Sequence, residues 1–171
     1  MTVSMPPPAA PASAGATSGA TIVVQPIGHV VGGRVAAEDD DWGRVRARIQ
    51  LAPRFGPDAL AGLSEFSHIE VVFHFDRQDE AKVVSAARHP RGRTDWPKVG
   101  IFAQRGKARP NRIGVSVCRL IAVDGTTLEV EGLDAIDGTP VLDIKPVMAG
   151  FQPRGQIREP EWAREIMADY W

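Results

Sequence analysis

The sequence has a single cysteine and no long apolar run, and each absence limits where the protein is expected to work. Cys118 has no second cysteine with which to form an internal disulfide, so we expect a buried thiol in a reducing, cytoplasmic setting. No stretch approaches the roughly 18 consecutive apolar residues of a membrane helix, so no membrane partner is expected. The first twenty residues have neither a basic start nor an apolar centre. This argues against a secretory signal and predicts a flexible Pro/Ala/Ser-rich leader over residues 1–20.

The motifs of several common enzyme classes are also missing. No Gly-x-Gly-x-x-Gly follows a strand, which argues against a Rossmann fold, and there is no phosphate-binding P-loop. Residues 114–118 lack the final glycine of a nucleophile elbow, so Ser116 is a poor candidate nucleophile. His68 and His74 have no further ligands at useful spacing, and we therefore predict no metal site.

Charge is almost balanced over the whole chain but uneven along it. Lys and Arg number 20 against 21 Asp and Glu, for a net charge of −1. Residues 88–119 hold nine basic residues and one acid, whereas residues 120–143 hold six acids and no Lys or Arg. The basic segment would attract a phosphate-bearing partner to one face if it stayed unpaired. Alternatively, the two segments are solvated strand faces that balance each other.

Strand patterns dominate the chain after the leader. Residues 45–51 alternate strictly between apolar side chains and Arg or Gln, which is typical of a half-buried strand. The other predicted strands, most of them short, cover residues 21–31, 68–75, 82–89, 99–104, 113–123, 127–133 and 140–147. Asp124-Gly125 and Asp137-Gly138 predict turns between them. A chain of 171 residues with this pattern predicts one all-β domain, either a barrel or a sandwich.

Helical patterns are scarce. Residues 57–63 predict one or two turns, and residues 160–168 predict a short C-terminal helix with Pro160 at its first position. Trp162, Ile166 and Tyr170 recur at four-residue spacing, which indicates a packing face. Such a helix either closes the barrel or packs on a second subunit.

Two long blocks of sequence resemble a known family. Residues 100–116 read GIFAQRGKARPNRIGVS and residues 133–146 read LDAIDGTPVLDIKP. They resemble the paired signatures of the TrmO (YaeB/TsaA-like) family, GxFATRSPxRPNPIGxS and LDxxDGTPVxDIKPY. Residues 62–68, GLSEFSH, are similar to a third family segment. The resemblance predicts a family domain over residues 21–150, followed by a C-terminal extension over residues 151–171.

The resemblance implies a fold and an activity. It implies a small single-domain β-barrel, usually a homodimer, that binds S-adenosyl-L-methionine near the subunit interface. It also implies a methyltransferase whose acceptor is tRNA, with methylation of N6 of threonylcarbamoyladenosine beside the anticodon. Methyl transfer is an in-line displacement at a sulfonium, so the site chiefly needs to position the two substrates.

The resemblance also implies which residues form the site. Arg105 and Arg109 are expected to meet the methionine carboxylate or tRNA phosphates, and Asp134 and Asp137 the ribose hydroxyls, the amino group or the sulfonium region. The full set expected at the cofactor is Asp76, Arg77, Phe102, Ala103, Gln104, Arg105, Arg109, Asn111, Gly114, Asp134 and Asp137. Gly114 is expected to let the backbone approach a ligand closely. Asp143 or Lys145 is the candidate to handle the proton of the acceptor.

Structural explanations exist for the same residues. Arg105 and Arg109 would also serve as surface charges, and Asp137 as the first residue of a turn whose side chain bonds its own backbone. Asp143 and Lys145 would also form a structural ion pair.

Several positions depart from the family pattern and leave the acceptor open. Gln104 stands for the usual Thr, Gly106-Lys107 for Ser-Pro, and Arg112 for the second Pro of the turn. Asp76-Arg77 follows the third strand where a His is common, and residues 38–41 form an acidic run. Two alternatives therefore stand beside the tRNA methyltransferase. One is a non-catalytic barrel that binds S-adenosylmethionine or RNA, and the other is a methyltransferase for a small-molecule acceptor.

Overall fold

The computed structural model describes residues 21–171, and the leader predicted over residues 1–20 lies outside them. The described chain has eight strands and one short α-helix, joined by loops and single 3-10 turns. The strands are β1 (Gly28–Val31), β2 (Arg46–Leu51), β3 (His68–His74), β4 (Ala87–Arg88), β5 (Val99–Gly100), β6 (Ile113–Asp124), β7 (Thr127–Glu131) and β8 (Pro140–Pro146). The helix, α1, covers Glu161–Ile166. None of the helices in residues 21–171 has the length and apolar character needed to cross a membrane.

Six of the strands close into an antiparallel barrel in the order β1-β2-β7-β6-β3-β8. This confirms the all-β barrel with a short C-terminal helix. The longest ladder joins β3 to β6 and runs from His68 opposite Arg119 to His74 opposite Ile113. The closure between β1 and β8 is short, since only Gly28 and His29 are paired with β8.

The barrel interior follows the period-two patterns of the sequence. On β2 the side chains of Ala47, Ile49 and Leu51 are buried, and Ile69 and Val71 on β3 face them with no exposed surface. Each fully buried aliphatic side chain contributes about 1.5–3 kcal/mol through removal of apolar surface from water. Hydrophobic burial along alternate positions therefore fixes the register of these strands.

The predicted strands over residues 82–89 and 99–104 are wrong for most of their length. Only β4 and β5 form there, as a two-stranded ladder outside the barrel. Glu80–Lys82 is a 3-10 turn that begins with a hydrogen bond from the Ala81 N–H to the Asp79 side chain. Ile101–Ala103 is another such turn. It buries the Ile101 side chain and leaves Phe102 exposed. The apolar residues of this region are used to anchor loops rather than to line a sheet face.

The first strand is also shorter than predicted. Residues 21–26 are exposed and unpaired in any ladder, and regular pairing begins at Gly28. Pro26 lacks a backbone N–H donor, which disfavours a longer ladder. The turns predicted at Asp124-Gly125 and Asp137-Gly138 are confirmed, with both glycines at positive φ.

The C-terminal extension packs on its own chain. Pro160 is the N-cap residue of α1 and not its first helical residue, and the helix ends at Ile166. The tail then lies beside the acidic run, where the N–H groups of Asp41 and Trp42 donate to the carbonyls of Asp169 and Tyr170, both at 2.8 Å.

Replacing Gly114 by Ala should lower the free energy of unfolding by about 1–3 kcal/mol through overpacking. A Cβ at this position would lie 2.4 Å from two ring carbons of Phe73, which is fully buried inside the barrel. Urea denaturation monitored by circular dichroism measures the change.

Gly100→Ala is the matched control for that substitution. No atom lies within 4 Å of a Cβ added to Gly100, and its φ of −59° suits any residue. Its stability should stay within about 0.5 kcal/mol of the parent protein. Equal stabilities of the two variants would contradict the packing argument.

Candidate functional site

The two sequence blocks that resemble the family meet at one end of the barrel, where β3 ends and β6 begins. Phe75 follows β3, and its N–H donates to the Arg112 carbonyl at 2.8 Å. Arg105 donates from Nη2 to the Val115 carbonyl at 2.7 Å. From the other block, Asp134 accepts a short hydrogen bond from the Ser116 hydroxyl. The loop before β6 and the loop after β7 are therefore joined through the first residues of one strand.

Asp134 is the most enclosed acid of this end. Its Oδ1 accepts from Ser116, and its Oδ2 accepts from the Tyr170 hydroxyl at 2.5 Å. Burial raises the pKa of the Asp134 carboxyl, while the hydrogen bond from Tyr170 and the nearby Arg105 oppose that rise. Burial, followed by the charge of Asp134, raises the pKa of Cys118 to about 12, so this thiol stays protonated.

The loop of residues 101–112 is held together by its own polar side chains. Gln104 is buried and donates from Nε2 to the carbonyls of Val99, at 3.0 Å, and Arg88, at 3.2 Å. Arg109 donates to the carbonyls of Ile101 and Gln104, so its guanidinium fixes the loop from inside. Both residues belong to the predicted cofactor set, and both are engaged in intramolecular contacts.

Four other members of that set are exposed at the same loop. They are Phe102, Ala103, Arg105 and Asn111. Phe102 is 77% exposed, and the Arg109 Cζ lies 5.8 Å from its ring centroid. An aromatic face, a cation and an amide are thus open to a ligand on one rim.

Asp137 and Arg77 link neighbouring loops at this end. Asp137 Oδ1 accepts from the Gly32 N–H at 2.7 Å, and Arg77 Nη2 donates to the Asp137 carbonyl at 2.9 Å. The Asp137 side chain therefore bonds the backbone of another loop, not its own as the turn explanation expected. Asp76 is exposed beside Arg77. For Gly114 the structure gives a packing reason, since the Phe73 ring occupies the space above its Cα.

Asp143 and Lys145 lie apart from this cluster. They stand on the outer face of β8, opposite Val72 and Glu70 of β3, and form an ion pair with each other. Asp143 also borders a cavity of about 630 Å³ at the other end of the barrel. The walls of that cavity are mainly apolar and include Ile27, Phe55, Leu63 and Ile144. The structure does not bring the predicted proton-handling pair to Asp134.

Much of the basic segment is neutralised by acids. Five of its nine basic residues form ion pairs, namely Arg91, Arg93, Lys107, Arg112 and Arg119. Only the pair between Arg119 and Glu131 joins it to the acidic segment over residues 120–143, and two of the others use Asp39 and Asp40 of the acidic run. Within residues 21–171 no ion pair involves Arg105 or Lys98, and both are exposed.

Three residues of this end were not predicted as part of the site. Ser116 alternates with Gly114 and Cys118 on the inner face of β6, and a buried hydroxyl at such a position needs a partner. The sequence pattern places Tyr170 in a packing stripe, whereas its contact with Asp134 depends on the turns of residues 167–170 and on the docking of the tail against Asp41 and Trp42. The Nε of Arg88 is the only buried side-chain nitrogen or oxygen within residues 21–171 that has no hydrogen-bond partner.

Known proteins with similar sequences share the barrel segment. Residues 39–152 match the family profile described as the tRNA-methyltransferase O N-terminal domain. The chain is 39% identical over 114 residues to a probable S-adenosyl-L-methionine-binding protein of Pyrococcus abyssi, covering 67% of this chain and 59% of that protein. It is 36% identical over 117 residues to the tRNA (adenine(37)-N6)-methyltransferase of Homo sapiens, covering 68% of this chain and 25% of that protein. The matches thus span less than two thirds of the length of these relatives.

Solved structures with a similar fold extend the match. A crystal structure of TrmO superposes with a TM-score of 0.67 at 32% identity, covering 82% of this chain and 64% of that chain. A crystal structure of TrmO from Pseudomonas aeruginosa gives a TM-score of 0.64 at 31% identity, covering 81% and 62%. The barrel of this chain is therefore similar to both.

Replacing Asp134 by Asn should change how stability depends on pH. Because burial raises the pKa of Asp134 in the folded state, its contribution to stability is present at low pH and is lost as pH rises through the folded pKa. The Asn variant lacks this loss, so its stability relative to the parent should improve as pH rises from about 4, the ordinary pKa of an aspartate. Urea denaturation at several pH values measures the trend.

Asp95→Asn is the control of opposite sign. The hydrogen bond from Arg93 lowers the pKa of the exposed Asp95, so this acid contributes stability that is lost as pH falls. Its Asn variant should lose stability relative to the parent as pH rises, and only slightly because both side chains are exposed. The same trend in both variants would count against the assignment of Asp134 as a buried acid.

Proposed function

We propose a methyl-transfer reaction for this chain because it belongs to the TrmO family of tRNA methyltransferases. The methyl donor is S-adenosyl-L-methionine, and the acceptor is N6 of threonylcarbamoyladenosine beside the anticodon of tRNA. The observation that carries the proposal is the meeting of the two family blocks at Ser116 and Asp134. This contact gathers the exposed rim of residues 102–111 and the enclosed carboxylate at one end of the barrel.

The side chains at this end have the chemistry that such a cofactor requires. S-adenosylmethionine carries a carboxylate, an ammonium group, a ribose diol and a sulfonium, so its site needs both cations and acids. Arg105 is an exposed guanidinium whose Nη2 is held by a backbone carbonyl, which leaves other N–H groups to meet a carboxylate. Asp134 and Asp76 supply acids on the same end. Gln104 is occupied in holding the loop, since its Nε2 donates to the Arg88 carbonyl.

The protein's own contribution is positioning. When bound, the cofactor supplies a methyl group activated by the positive sulfur. Arg105 holds the carboxylate end, Phe102 offers an aromatic face to a base, and Asn111 offers an amide to polar edges. Arg77 and Asp137 keep the neighbouring loops in place through the contacts at Gly32 and at the Asp137 carbonyl.

A homodimer is part of the proposal, because the outer face of β6 carries exposed apolar side chains. Ile113 is 41% and Val117 47% exposed on that face. Asp143 and Lys145 lie on the same face of the sheet, opposite Val72 and Glu70. A second copy packed there would bring its own loop near this ion pair. Asp143 and Lys145 are therefore retained as the candidate residues for the acceptor's proton.

The acceptor tRNA is supported by the family and by the exposed Arg105 and Lys98, rather than by the total charge of residues 88–119, since most of that charge is paired. The compartment is the cytoplasm, a proposal supported by the single cysteine, which has no partner for an internal disulfide.

Incubation of the purified protein with methyl-labelled S-adenosylmethionine and total tRNA should label the tRNA. Digestion to nucleosides and mass spectrometry should then locate the label on the modified adenosine. Binding of the cofactor without transfer would contradict the catalytic proposal and favour the non-catalytic barrel. Label that appears only in a metabolite extract would contradict the tRNA acceptor.

Arg105→Ala should weaken the binding of S-adenosylmethionine by about 10- to 100-fold, the effect of losing a charge-assisted hydrogen bond. Isothermal titration calorimetry measures the dissociation constant. Lys98→Ala is the matched control, since it removes an exposed cation of the same basic segment that precedes β5 and is not part of the loop of residues 101–112, and its dissociation constant should stay within twofold. An unchanged constant for the Arg105 variant would remove this residue from the cofactor site.

A further inference from the structure

The C-terminal tail brings the only tyrosine of the chain to the candidate site. The tail is held at two places. Its backbone carbonyls at Asp169 and Tyr170 accept from Asp41 and Trp42, and Glu165 of α1 accepts from the Trp96 indole N–H at 2.6 Å. These contacts put Tyr170 in a defined position.

The packing around residue 43 shows how closely the tail is seated. A Cβ added to Gly43 would lie 2.5 Å from the carbonyl carbon of Trp171. Only a glycine lets the two backbones approach to this distance. The acidic run and the residues that follow it thus form a seat for the tail.

At the end of the tail, Tyr170 completes the hydrogen bonding of Asp134. The hydroxyl of Ser116, on β6, donates to one carboxylate oxygen of Asp134, and the Tyr170 hydroxyl donates to the other at 2.5 Å. Ser116 lies inside the family match over residues 39–152, whereas Tyr170 lies outside it. One of the two donors that orient this carboxylate is therefore supplied by the extension of this chain.

A carboxylate held in this way remains able to meet a ligand. Each of its oxygens can accept a second hydrogen bond, so Ser116 and Tyr170 do not exhaust its capacity. Two donors on different elements fix the direction of the carboxylate and compensate for the removal of its charge from water. Without the phenol, Oδ2 would lose its protein donor in a largely enclosed position.

We propose that Tyr170 is a positioning residue that holds the Asp134 carboxylate toward the cationic part of the cofactor. The inference rests on the proposed function, because it assigns Asp134 to the sulfonium or the ammonium group of S-adenosylmethionine. It adds that cofactor affinity depends on the C-terminal tail, which lies beyond the family domain.

Tyr170→Phe removes the hydroxyl and keeps the ring. At pH 7 the dissociation constant for S-adenosylmethionine, measured by calorimetry on the full chain, should rise about tenfold. Trp171→Phe is the matched control, because it alters the edge-to-face neighbour of Tyr170, at 5.0 Å between ring centroids, and leaves the phenol in place. The dissociation constant of this variant for S-adenosylmethionine should stay within twofold of the parent value.

The pH dependence of binding separates positioning from a general structural effect. Asp134 is faced by Ser116 and Cys118 from β6, by Arg105 from the loop before β6, and by Tyr170 from the tail. Tyr170 itself is close to Asp39 and Arg91. A cationic group of the cofactor needs the ionised form of Asp134, so binding should weaken as pH falls and Asp134 is protonated. The hydrogen bond from Tyr170 lowers the pKa of Asp134. In Tyr170→Phe this weakening should therefore begin at a higher pH than in the parent. Parent-like affinity and pH dependence in Tyr170→Phe would overturn the inference.

A second measurement needs no cofactor. The carboxyl-carbon resonance of Asp134, identified by its loss in Asp134→Asn, can be titrated in the parent and in Tyr170→Phe. A higher midpoint in the variant supports the inference, and an identical midpoint overturns it. A parent protein that binds no S-adenosylmethionine would refute the proposed function, while this titration would still decide whether Tyr170 controls Asp134.

Discussion

The hydrogen bonding of one enclosed carboxylate, Asp134, organises the end of the barrel at which the site is proposed. A charge taken out of water needs donors close by. Here they come from β6 through Ser116 and from the tail through Tyr170, with Arg105 adding a cation nearby. Because the two donors and the cation belong to three separate parts of the chain, satisfying the carboxylate also joins those parts into one surface.

The features in which this chain departs from the family pattern support each other. Asp39 and Asp40 of the acidic run form ion pairs with Lys107 and Arg91 of the basic segment. The last residue of the run, Asp41, hydrogen bonds to the tail, and the tail carries Tyr170 to Asp134. Exposed ion pairs contribute little stability, about 0–1 kcal/mol each. Their effect is to place the tail and the basic loop on the same side of the barrel.

The sequence predicts the barrel well where burial on one face leaves a period-two pattern of apolar and polar side chains, as over residues 45–51. It predicts the segment between residues 82 and 104 poorly, since apolar residues such as Ile101 anchor loops there and leave no strand period. The resemblance identified the two blocks that meet at β6. The contact of Tyr170 with Asp134 was beyond prediction, because it depends on how the turns of residues 167–170 dock against residues 41 and 42 in the fold. The pairing of Arg91 and Lys107 with the acidic run depends equally on folded distances.

The central claim is that the cofactor binds at the end of the barrel defined by Arg105 and Asp134. A crystal structure of the protein with S-adenosylmethionine tests it most directly. We expect electron density with the methionine carboxylate within hydrogen-bonding distance of Arg105 and a cationic group facing Asp134. Density in the apolar cavity between Phe55 and Ile144, at the other end of the barrel, would contradict it.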